Sequence, residues 1–363
     1  EAVDNGLVRE NGAFKIIKGE QGIEVNVEDS IAAIENYISS EWDGGNAEIE
    51  LVAEVVEPRG SEEDLEQITD MMGSYTTNYK DSGQNRCDNI SNATSKINGT
   101  LLYPGEEFSV YEAIGPLDAA NGYELAGAYE NGQTVESYGG GVCQVSTTLY
   151  NAVILAELEI TQRSNHSMIV SYVKPSMDAA IAGDYKDLRF VNNQDIPIYI
   201  EGYTEGKNVT FKIYGHDTRP SNRVVTYESE VVSEQDPGTQ YVATGDPAGY
   251  MKTAQGKHIG YVARLWKVVT VDGVEESREI FNKSTYKASP KIVNVGTASA
   301  DPNVSAVIGA ALATGDEATI NAAVAPYAAS AAAILNPAPV EQPSQEEQAI
   351  TGTVDESQIT GGE

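Results

Sequence analysis

YGGGVCQVSTTLYNA, residues 138–152, is the stretch that decides the fold of the central part of the chain. Its three consecutive glycines let the backbone turn tightly and approach another group closely. After them, apolar side chains recur at helical spacing at Val145, Leu149, Val153 and Ala156. This spacing predicts a helix from about Cys143 to Glu157 with one buried face. We expect the helix to pack against a sheet in a mixed α+β domain.

The cysteine at the start of this helix is the candidate nucleophile. In a first helical turn, the unpaired backbone N–H groups and the positive end of the helix dipole favour the thiolate of Cys143 over the thiol. The same N–H groups are suited to stabilise an oxyanion. A buried structural cysteine beside a packing turn of glycines is the alternative, and composition alone leaves it open.

A nucleophilic cysteine needs a base, and His166 is the candidate. It opens the segment His166–Val173, HSMIVSYV, which we predict to be a strand beside the helix. A purely structural histidine is the alternative. His216 lies in a turn-like segment and His258 in a separate strand-rich region, so neither is preferred as the base.

Residue types near this pair suggest supporting roles. Asp178, Asp187 and Asn165 are candidates, by type alone, for the third group that orients the imidazole. Arg163 is a candidate for holding a substrate carboxylate through two parallel hydrogen bonds, with an exposed ion pair as the alternative. The predicted substrate-binding or supporting residues are Gly141, Ser146, Arg163 and Asp178.

The second cysteine, Cys87, follows no glycine turn and no predicted helix start, so it is not predicted to be reactive. A disulfide between Cys87 and Cys143 would silence the nucleophile, and two cysteines in an exported chain keep that alternative open. The two cysteines and three histidines are too scattered for a recognisable metal motif. We therefore predict no metal site and no cofactor.

Charge excludes one class of partner. The net charge is −32 at pH 7 and the pI is about 4.3, whereas nucleic-acid binding begins with clustered Lys and Arg. No nucleic acid is therefore expected as a partner. Because the chain begins at Glu1 without a methionine, we expect a signal peptide or membrane anchor upstream.

Length and local pattern predict several domains. Residues 1–80 read as a small α+β module with helices at Ser30–Ile38 and Glu62–Met72 and a strand at Ala47–Val56. Residues 81–218 contain the cysteine-bearing helix and short strands. One of these strands is predicted at Ile196–Gly202.

The remaining residues divide into a β-rich region, 219–297, and a tail, 298–363. Tyr261–Val271 and Glu276–Ser284 flank an Asp272-Gly273 turn, which predicts a hairpin. The tail is rich in Ala, Pro and Glu and is expected to be largely disordered, most of all over Leu335–Glu363. Weak helices at Ala306–Leu312 and Thr319–Leu335 are the exceptions. We predict an α+β multidomain protein.

The central residues resemble a VanW-like domain over about residues 81–218. Four separated blocks carry the likeness: NGTLLYPGEEFSV (98–110), GGGVCQVSTTLYNA (139–152), RSNHS (163–167) and DAAIAGDYKDLRFVNNQDIPIYI (178–200). Residues 15–80 are similar to the peptidoglycan-binding module that commonly precedes this domain. Residues 223–297 resemble an extracellular β-rich module named for its five glycines, with the ending SPKIVNVGT (289–297).

The resemblance implies an exported wall protein of Gram-positive type, either in the wall or anchored at the cell surface, from a family named for glycopeptide resistance. It implies peptidoglycan stem peptides as partners and L,D-transpeptidase activity that forms 3-3 cross-links, with Cys143 as nucleophile and His166 as acid and base. Two alternatives stay open. One is a non-catalytic peptidoglycan-binding protein, and the other is a cysteine peptidase or carboxypeptidase acting on the same stems.

Overall fold

In the computed structural model, which describes residues 1–130, 133–183 and 185–335, helices and strands mix through the first part of the chain and strands dominate residues 223–298. The chain forms an α+β multidomain protein. It divides into a first unit, Glu1–Pro237 with Lys257–Pro290, and a second unit, Gly238–Gly256 with the residues from Lys291 onward.

The N-terminal elements are two short antiparallel strand pairs and two helices. They are β1 (Gly6–Glu10), β2 (Ala13–Ile17), β3 (Gly22–Val25), α1 (Val27–Ser40), β4 (Ala53–Val56) and α2 (Glu62–Glu66). β1 pairs with β2 and β3 with β4, both antiparallel. The predicted helix at Ser30–Ile38 is confirmed within α1, and only the end of the predicted strand at Ala47–Val56 is a strand.

The predicted helix at Glu62–Met72 is wrong beyond Glu66, where α2 ends. The next element is β5 (Asp70–Asn78), whose backbone pairs with a strand far along the chain. Hydrogen bonds to that partner strand replace the helical ones, so tertiary pairing overrides local periodicity here.

The central elements include most strands of a four-stranded antiparallel sheet and the helices of the same region. They are α3 (Gln84–Ile97), β6 (Thr100–Leu102), β7 (Glu107–Ser109), α4 (Val110–Ile114), β8 (Leu125–Glu130), β9 (Gln133–Tyr138), α5 (Val142–Leu155), β10 (Glu159–Gln162), β11 (Arg189–Val191), β12 (Ile198–Glu205) and β13 (Asn208–Gly215). The sheet order is β5-β13-β12-β6, and a smaller sheet has the order β10-β11-β7.

The cysteine-bearing helix α5 packs across β5 and β13. The backbones approach so closely that a Cβ on Gly73 would lie 2.2 Å from the carbonyl oxygen of Ala152. Glycine at this position of β5 therefore lets the helix lie against the sheet. The predictions of this helix and of its packing on a sheet are confirmed, as is the strand at Ile196–Gly202 within β12.

Burial of α5 extends beyond the single face that the spacing predicts. Its residues from Val142 to Ile154 are buried, with Cys143 as the half-buried exception. Polar side chains on the second face find buried partners: Thr147 Oγ1 donates to the carbonyl of Ala179, and Asn151 Nδ2 donates to the carbonyl of Met177. These bonds allow polar residues to be buried, which a hydrophobic periodicity does not reveal.

A three-stranded antiparallel sheet of order β14-β17-β18 completes the first unit. Its strands are β14 (Arg223–Gln235), β17 (Gly260–Val271) and β18 (Val274–Tyr286). Asp272 and Gly273 both have positive φ, 51° and 78°, as the predicted hairpin turn requires. The predicted hairpin is confirmed.

The second unit combines a sheet of order β15-β19-β16 with helices. Its elements are β15 (Thr239–Pro247), β16 (Met251–Gln255), β19 (Lys291–Ala298), α6 (Pro302–Thr314), α7 (Glu317–Val324) and α8 (Ala328–Leu335). Val295, Ile308 and Ile320 lie in its core. Both predicted helices occur, so residues 302–335 of the predicted tail are largely helical. The disorder predicted for Leu335–Glu363 falls, from residue 336, outside the described residues.

By length and composition alone, the 19-residue stretch Glu317–Leu335 is apolar enough to cross a membrane, since an 18-residue window within it has a mean hydropathy of 1.4. In this structure it is not one straight helix but α7, a short 3-10 turn at Ala325–Tyr327, and α8. Ile320, Val324 and Ala331 are buried.

Candidate active site

Cys143 is the second residue of α5, directly after the glycine turn. Gly141 is the N-cap and has φ +117°, a conformation that favours glycine. A Cβ on Gly140 would lie 2.5 Å from the carbonyl oxygen of Ala126, so this position also requires glycine. The turn therefore determines where the helix begins and where the thiol projects.

The first amides of α5 are only partly used. The N–H of Val142 donates to Gly139 and that of Gln144 donates to Gly141, whereas the Cys143 N–H makes no hydrogen bond to a described residue. No side chain caps the helix and no acidic residue lies in its first turn. The positive end of the helix thus faces the sulfur without compensation.

The Cys143 thiol is half-buried, free of any disulfide and in contact with the backbone of Ile181. The Ile181 N–H donates to Sγ over 3.5 Å, and Sγ lies 3.4 Å from the Ile181 carbonyl oxygen. Burial acts to raise the pKa of Cys143, but interaction with His166 and the bond from Ile181 outweigh it and lower the pKa below its ordinary value of 9.0. Cys87 is also a free thiol.

The segment that carries His166 contains bends and is not a strand. The prediction of a strand at His166–Val173 is wrong, because none of these residues pairs in a sheet within the described chain. The His166 N–H, which a strand would offer to a neighbour, donates to Asp178 Oδ2 over 2.7 Å. His166, Met168 and Val170 are buried and alternate with half-buried residues. This burial pattern is typical of a strand, although the segment pairs with no strand in the described residues.

The His166 ring is buried and held by Asp178. Nδ1 lies 2.7 Å from Asp178 Oδ2, while the buried Nε2 makes no hydrogen bond of standard geometry in the described residues. Burial acts to lower the pKa of His166, but the bond to Asp178 and the interaction with Cys143 raise it to about 9. A lowered pKa of Cys143 and a raised pKa of His166 both favour a thiolate–imidazolium pair, because each charge stabilises the other.

Asp178 is completely buried and accepts hydrogen bonds from several directions. Its Oδ1 accepts from Tyr286 Oη and, over 3.1 Å, from a guanidinium nitrogen of Arg163. Burial acts to raise the pKa of Asp178, but the bond and charge of His166 and the charge of Arg163 lower it. The carboxylate is therefore charged and its orientation is determined on both oxygens.

Arg163 supports Asp178 and does not face the cleft beside Cys143. Its Nε donates to the Asp178 carbonyl over 2.7 Å, and its third nitrogen donates to Ser284 Oγ over 3.0 Å. All three guanidinium nitrogens are thus engaged, and the side chain is only 8% exposed. In this arrangement the guanidinium holds a protein carboxylate instead of a substrate carboxylate, and the ion pair is buried instead of exposed.

Strand β18 supplies side chains that the sequence reasoning missed. Tyr286 donates to Asp178 and accepts from the Ser176 N–H over 2.7 Å, and the carbonyl of Thr285 accepts from Asn165 Nδ2 over 2.9 Å. β18 was predicted in a separate β-rich module, so nothing in its sequence pointed to the site. Only the alternation of Ser284 and Tyr286 on the buried face of the strand is a local signal.

The other candidates lie elsewhere. Asp187 accepts from Ser109 Oγ and from the N–H groups of Tyr111 and Leu188, and Asn165 donates to backbone carbonyls, so of the three orienting candidates only Asp178 contacts the ring of His166. Ser146 is buried and does not line the cleft. His216 is exposed near Asp70.

The environment of Cys87 differs from the one expected for it. Cys87 lies in the first turn of α3, since this helix begins at Gln84 after Gly83, so the expectation that it follows no helix start is wrong. Its Sγ contacts the Ser82 carbonyl oxygen over 3.7 Å. No histidine contacts it among the described residues, and this distinguishes it from Cys143.

An open cleft with a volume of about 1930 Å³ contains Cys143 and His166. Its walls come from the start of α3, the β8–β9 pair, the glycine turn, residues 166–172 and residues 180–183, 185 and 186. Its charged lining residues, besides His166, are Lys80, Asp81, Arg86, Lys186 and Lys287. No group of three His, Cys, Asp or Glu within the described residues is placed to hold a metal ion.

Comparison with known proteins gives two family matches. A model described as VanW like protein matches residues 85–214, and a G5 domain model matches residues 226–298. The uncharacterized protein YoaR of Bacillus subtilis is 32% identical over 214 residues, which cover 59% of this chain and 69% of YoaR. The vancomycin B-type resistance protein VanW of Enterococcus faecalis is 30% identical over 118 residues, 31% of this chain and 42% of that protein.

Among solved structures, the IgA1 protease G5 domain is 26% identical, and the match covers 21% of this chain and 94% of that domain with a TM-score of 0.16. The central and β-rich predictions thus agree with two family matches. The resemblance of residues 15–80 to a peptidoglycan-binding module stays a prediction.

Proposed function

This chain belongs to the VanW-like family, and we propose that it is an extracytoplasmic peptidoglycan L,D-transpeptidase that forms 3-3 cross-links through a thioester on Cys143. The observation that carries the proposal is that Cys143 lines the same cleft as His166, whose ring Nδ1 is held 2.7 Å from Asp178 Oδ2. A thiol with a lowered pKa, an imidazole with a raised pKa and a buried orienting carboxylate form the arrangement that activates a nucleophile for acyl transfer.

The first half-reaction acylates the enzyme. The Cys143 thiolate attacks the carbonyl carbon that joins the L-centre of the diamino acid to the terminal D-Ala of a donor tetrapeptide. A C–S bond forms, and the developing oxyanion faces the Cys143 N–H, which has no other described partner. The C–N bond then breaks as the His166 imidazolium gives its proton to the departing D-Ala amine.

The second half-reaction transfers the acyl group. The side-chain amine of a neighbouring stem attacks the thioester, and neutral His166 accepts the proton that this amine loses. The new C–N bond forms as the C–S bond breaks, which restores the thiolate and the imidazolium. Asp178 stabilises the imidazolium before acylation and again after the transfer. It can do so because Arg163 and Tyr286 hold its carboxylate in place.

Localisation and partner follow from the same proposal. The G5 match and the relation to a vancomycin resistance protein support a place at the cell surface, where stem peptides are available. The chemistry uses only a thiolate, an imidazole and backbone N–H groups, so it requires no cofactor. Gly141 positions the thiol, and Asp178 and Arg163 position the base.

Incubation with disaccharide-tetrapeptide muropeptides and mass analysis of the products tests this proposal. We expect cross-linked dimers with loss of D-Ala, and none from a Cys143→Ala variant of the same fold. Release of D-Ala without dimers would show that the enzyme is a carboxypeptidase and not a transpeptidase. Absence of any product from folded protein, with peptides still bound, would favour a non-catalytic wall-binding protein.

A further inference from the structure

Arg86 differs from every other arginine of the chain in its contacts. Eight of the nine arginines, all of them in described residues, form an ion pair with a carboxylate. Among the described residues, Arg86 donates only to neutral oxygens, Ser82 Oγ over 2.6 Å and Gln144 Oε1 over 2.8 Å. In a chain with 55 acidic residues and 23 Lys and Arg, a half-buried arginine that has no carboxylate partner in the described part of the chain is a notable exception.

The position of Arg86 places it beside the nucleophile. A Cβ on Gly141 would lie 3.0 Å from Arg86 Cγ, so the side chain passes against the glycine turn. Its partner Gln144 is the residue after Cys143. Both Arg86 and Cys143 line the same cleft.

The cleft that contains Arg86 is lined by more cations than carboxylates among the described residues. Among the described residues that line the cleft, Lys80, Lys186 and Lys287 are also cations, and Asp81 is the only carboxylate. The helices α3 and α5 begin in this cleft after Gly83 and Gly141, without a side-chain cap or an acid in the first turn. In contrast, a side chain of Asn, Ser or Asp caps α1, α2, α4, α6 and α7.

We propose that Arg86 binds the terminal carboxylate of the donor stem peptide, that of the D-Ala residue which leaves when Cys143 is acylated. This inference rests on the proposed function and names the feature of the donor that the site recognises. A planar guanidinium with unused N–H groups is suited to a carboxylate, which it holds through two parallel bonds. In the leaving D-Ala, only the Cα atom separates the carboxylate from the scissile nitrogen. A cation next to the nucleophile is therefore within reach of that carboxylate.

The consequence is selection of donors that end in a free carboxylate at this residue. A stem that continues with a further residue, or that ends in an amide, would leave Arg86 without its anion. The three lysines attract the donor over a longer range and contribute less to the discrimination.

The test compares two peptides that differ only in charge at one end. A tetrapeptide donor with a free C-terminal D-Ala and the same peptide with a C-terminal carboxamide are titrated into the full chain carrying Cys143→Ala, with calorimetric detection. We expect the acid to bind about tenfold tighter than the amide or more, as for a hydrogen bond to a charged group. In the double variant Cys143→Ala, Arg86→Gln, this difference should be lost.

The control is Arg278→Gln on the same background, because Arg278 is an arginine outside the cleft. It should keep the preference for the acid, and Arg86→Lys should keep only part of it. Equal binding of acid and amide by the chain that retains Arg86 would overturn the inference, and this comparison requires no Arg86 variant to fold. A preference that persists in Arg86→Gln would overturn it too.

Because the titration uses chains without the nucleophile, it separates the two proposals. Equal binding together with D-Ala release by the Cys143 chain would remove the role of Arg86 and leave the transpeptidase standing. A clear preference without acylation of the Cys143 chain would support the carboxylate site and contradict the chemistry. Binding of neither peptide would overturn both.

Discussion

Arg163 supports Asp178 behind His166, Arg86 passes beside the glycine turn before Cys143, and the two differ in what their guanidinium groups contact. Arg163 is buried and engaged at all three nitrogens by Asp178 and Ser284. Arg86 lines the cleft, and its hydrogen bonds within the described residues go to Ser82 and Gln144, both neutral. Behind His166 the charges are neutralised inside the protein, whereas beside Cys143 positive charge is left for another molecule.

The difference separates positioning from recognition. A buried cation paired with a buried carboxylate fixes geometry, because removal of either partner leaves an uncompensated charge. A cation without a carboxylate is available to a ligand that supplies one. The comparison predicts that changes behind His166 act on the rate of chemistry and on folding, whereas changes in the cleft act on binding.

Replacement of Asp178 by Asn should have the largest effect. The amide removes the charge that raises the pKa of His166, so the imidazolium is lost at lower pH and the thiolate loses its partner. We expect the rate of D-Ala release to fall on the order of 10³-fold, with its alkaline limit moved from near 9 to lower pH. The control is Asp187→Asn, another buried aspartate, which should change stability without moving the pH profile. An unchanged alkaline limit in Asp178→Asn would contradict this account.

Glu157 tests pairing far from the chemistry. Burial acts to raise its pKa, but Arg223 and Lys267 lower it to about 2. Because the folded pKa is below the ordinary 4.5, this contribution to stability is present above that pH and is lost as the pH falls towards 2. We expect Glu157→Gln to lower the free energy of unfolding by about 2 kcal/mol at pH 7, and by less at pH 3, in urea titrations.

The reactivity of the Cys143 thiol in the same variant tests whether Glu157 also affects the candidate site. If the ion pairs of Glu157 serve folding alone, Cys143 in Glu157→Gln should be alkylated at the wild-type rate at urea concentrations below the unfolding midpoint of the variant. A strong loss of thiol reactivity in folded Glu157→Gln would mean that this cluster also orients the site.

Tyr286→Phe should have an intermediate effect. It removes the hydroxyl that donates to Asp178 and accepts from the Ser176 N–H, while the ring remains. We expect kcat for D-Ala release to fall about tenfold with little change in KM, since one hydrogen bond to a charged group is lost. Tyr261→Phe, on the neighbouring strand β17, is the matched control. A change confined to KM would place Tyr286 in substrate binding instead.

Ionic strength should give the smallest effect, and only on the cleft side. Raising the salt concentration screens Arg86 and the three lysines, so kcat/KM for an anionic donor should fall several-fold. Alkylation of Cys143 by neutral iodoacetamide should not change, because the buried Asp178 network is screened much less. Equal salt dependence of both reactions would remove the distinction between the two sides.

Local patterns predicted the elements that local physics determines. The glycine turn and apolar spacing indicated α5, and Asp272-Gly273 indicated the β17–β18 hairpin, since both depend on neighbouring residues. Local patterns do not predict which distant segments pair with each other. The local pattern predicts a helix where β5 begins and a strand at His166–Val173, and both predictions are wrong because a remote partner decides the structure in each case.

The sequence predicts the two candidate reacting groups that line the cleft, Cys143 and His166, but not the residues that support them. Cys143 and His166 carry recognisable chemistry, and Asp178 was one of three candidates by type. Tyr286 could not be found, because a boundary near residue 218 placed it in another module, while the structure packs β18 behind Asp178. Arg86 gave no signal either, since an arginine without a carboxylate partner is visible only when the partners of all the others are known.

The pH dependence of Cys143 alkylation tests the central claim most directly, with Cys87→Ser as the background so that one thiol remains. We expect the iodoacetamide rate to rise with a midpoint below pH 9.0, the ordinary pKa of a thiol, and the profile to move to higher pH in His166→Asn. A rate that rises with an ordinary thiol pKa, and that is the same with and without His166, would contradict the claim that this cysteine is an activated nucleophile.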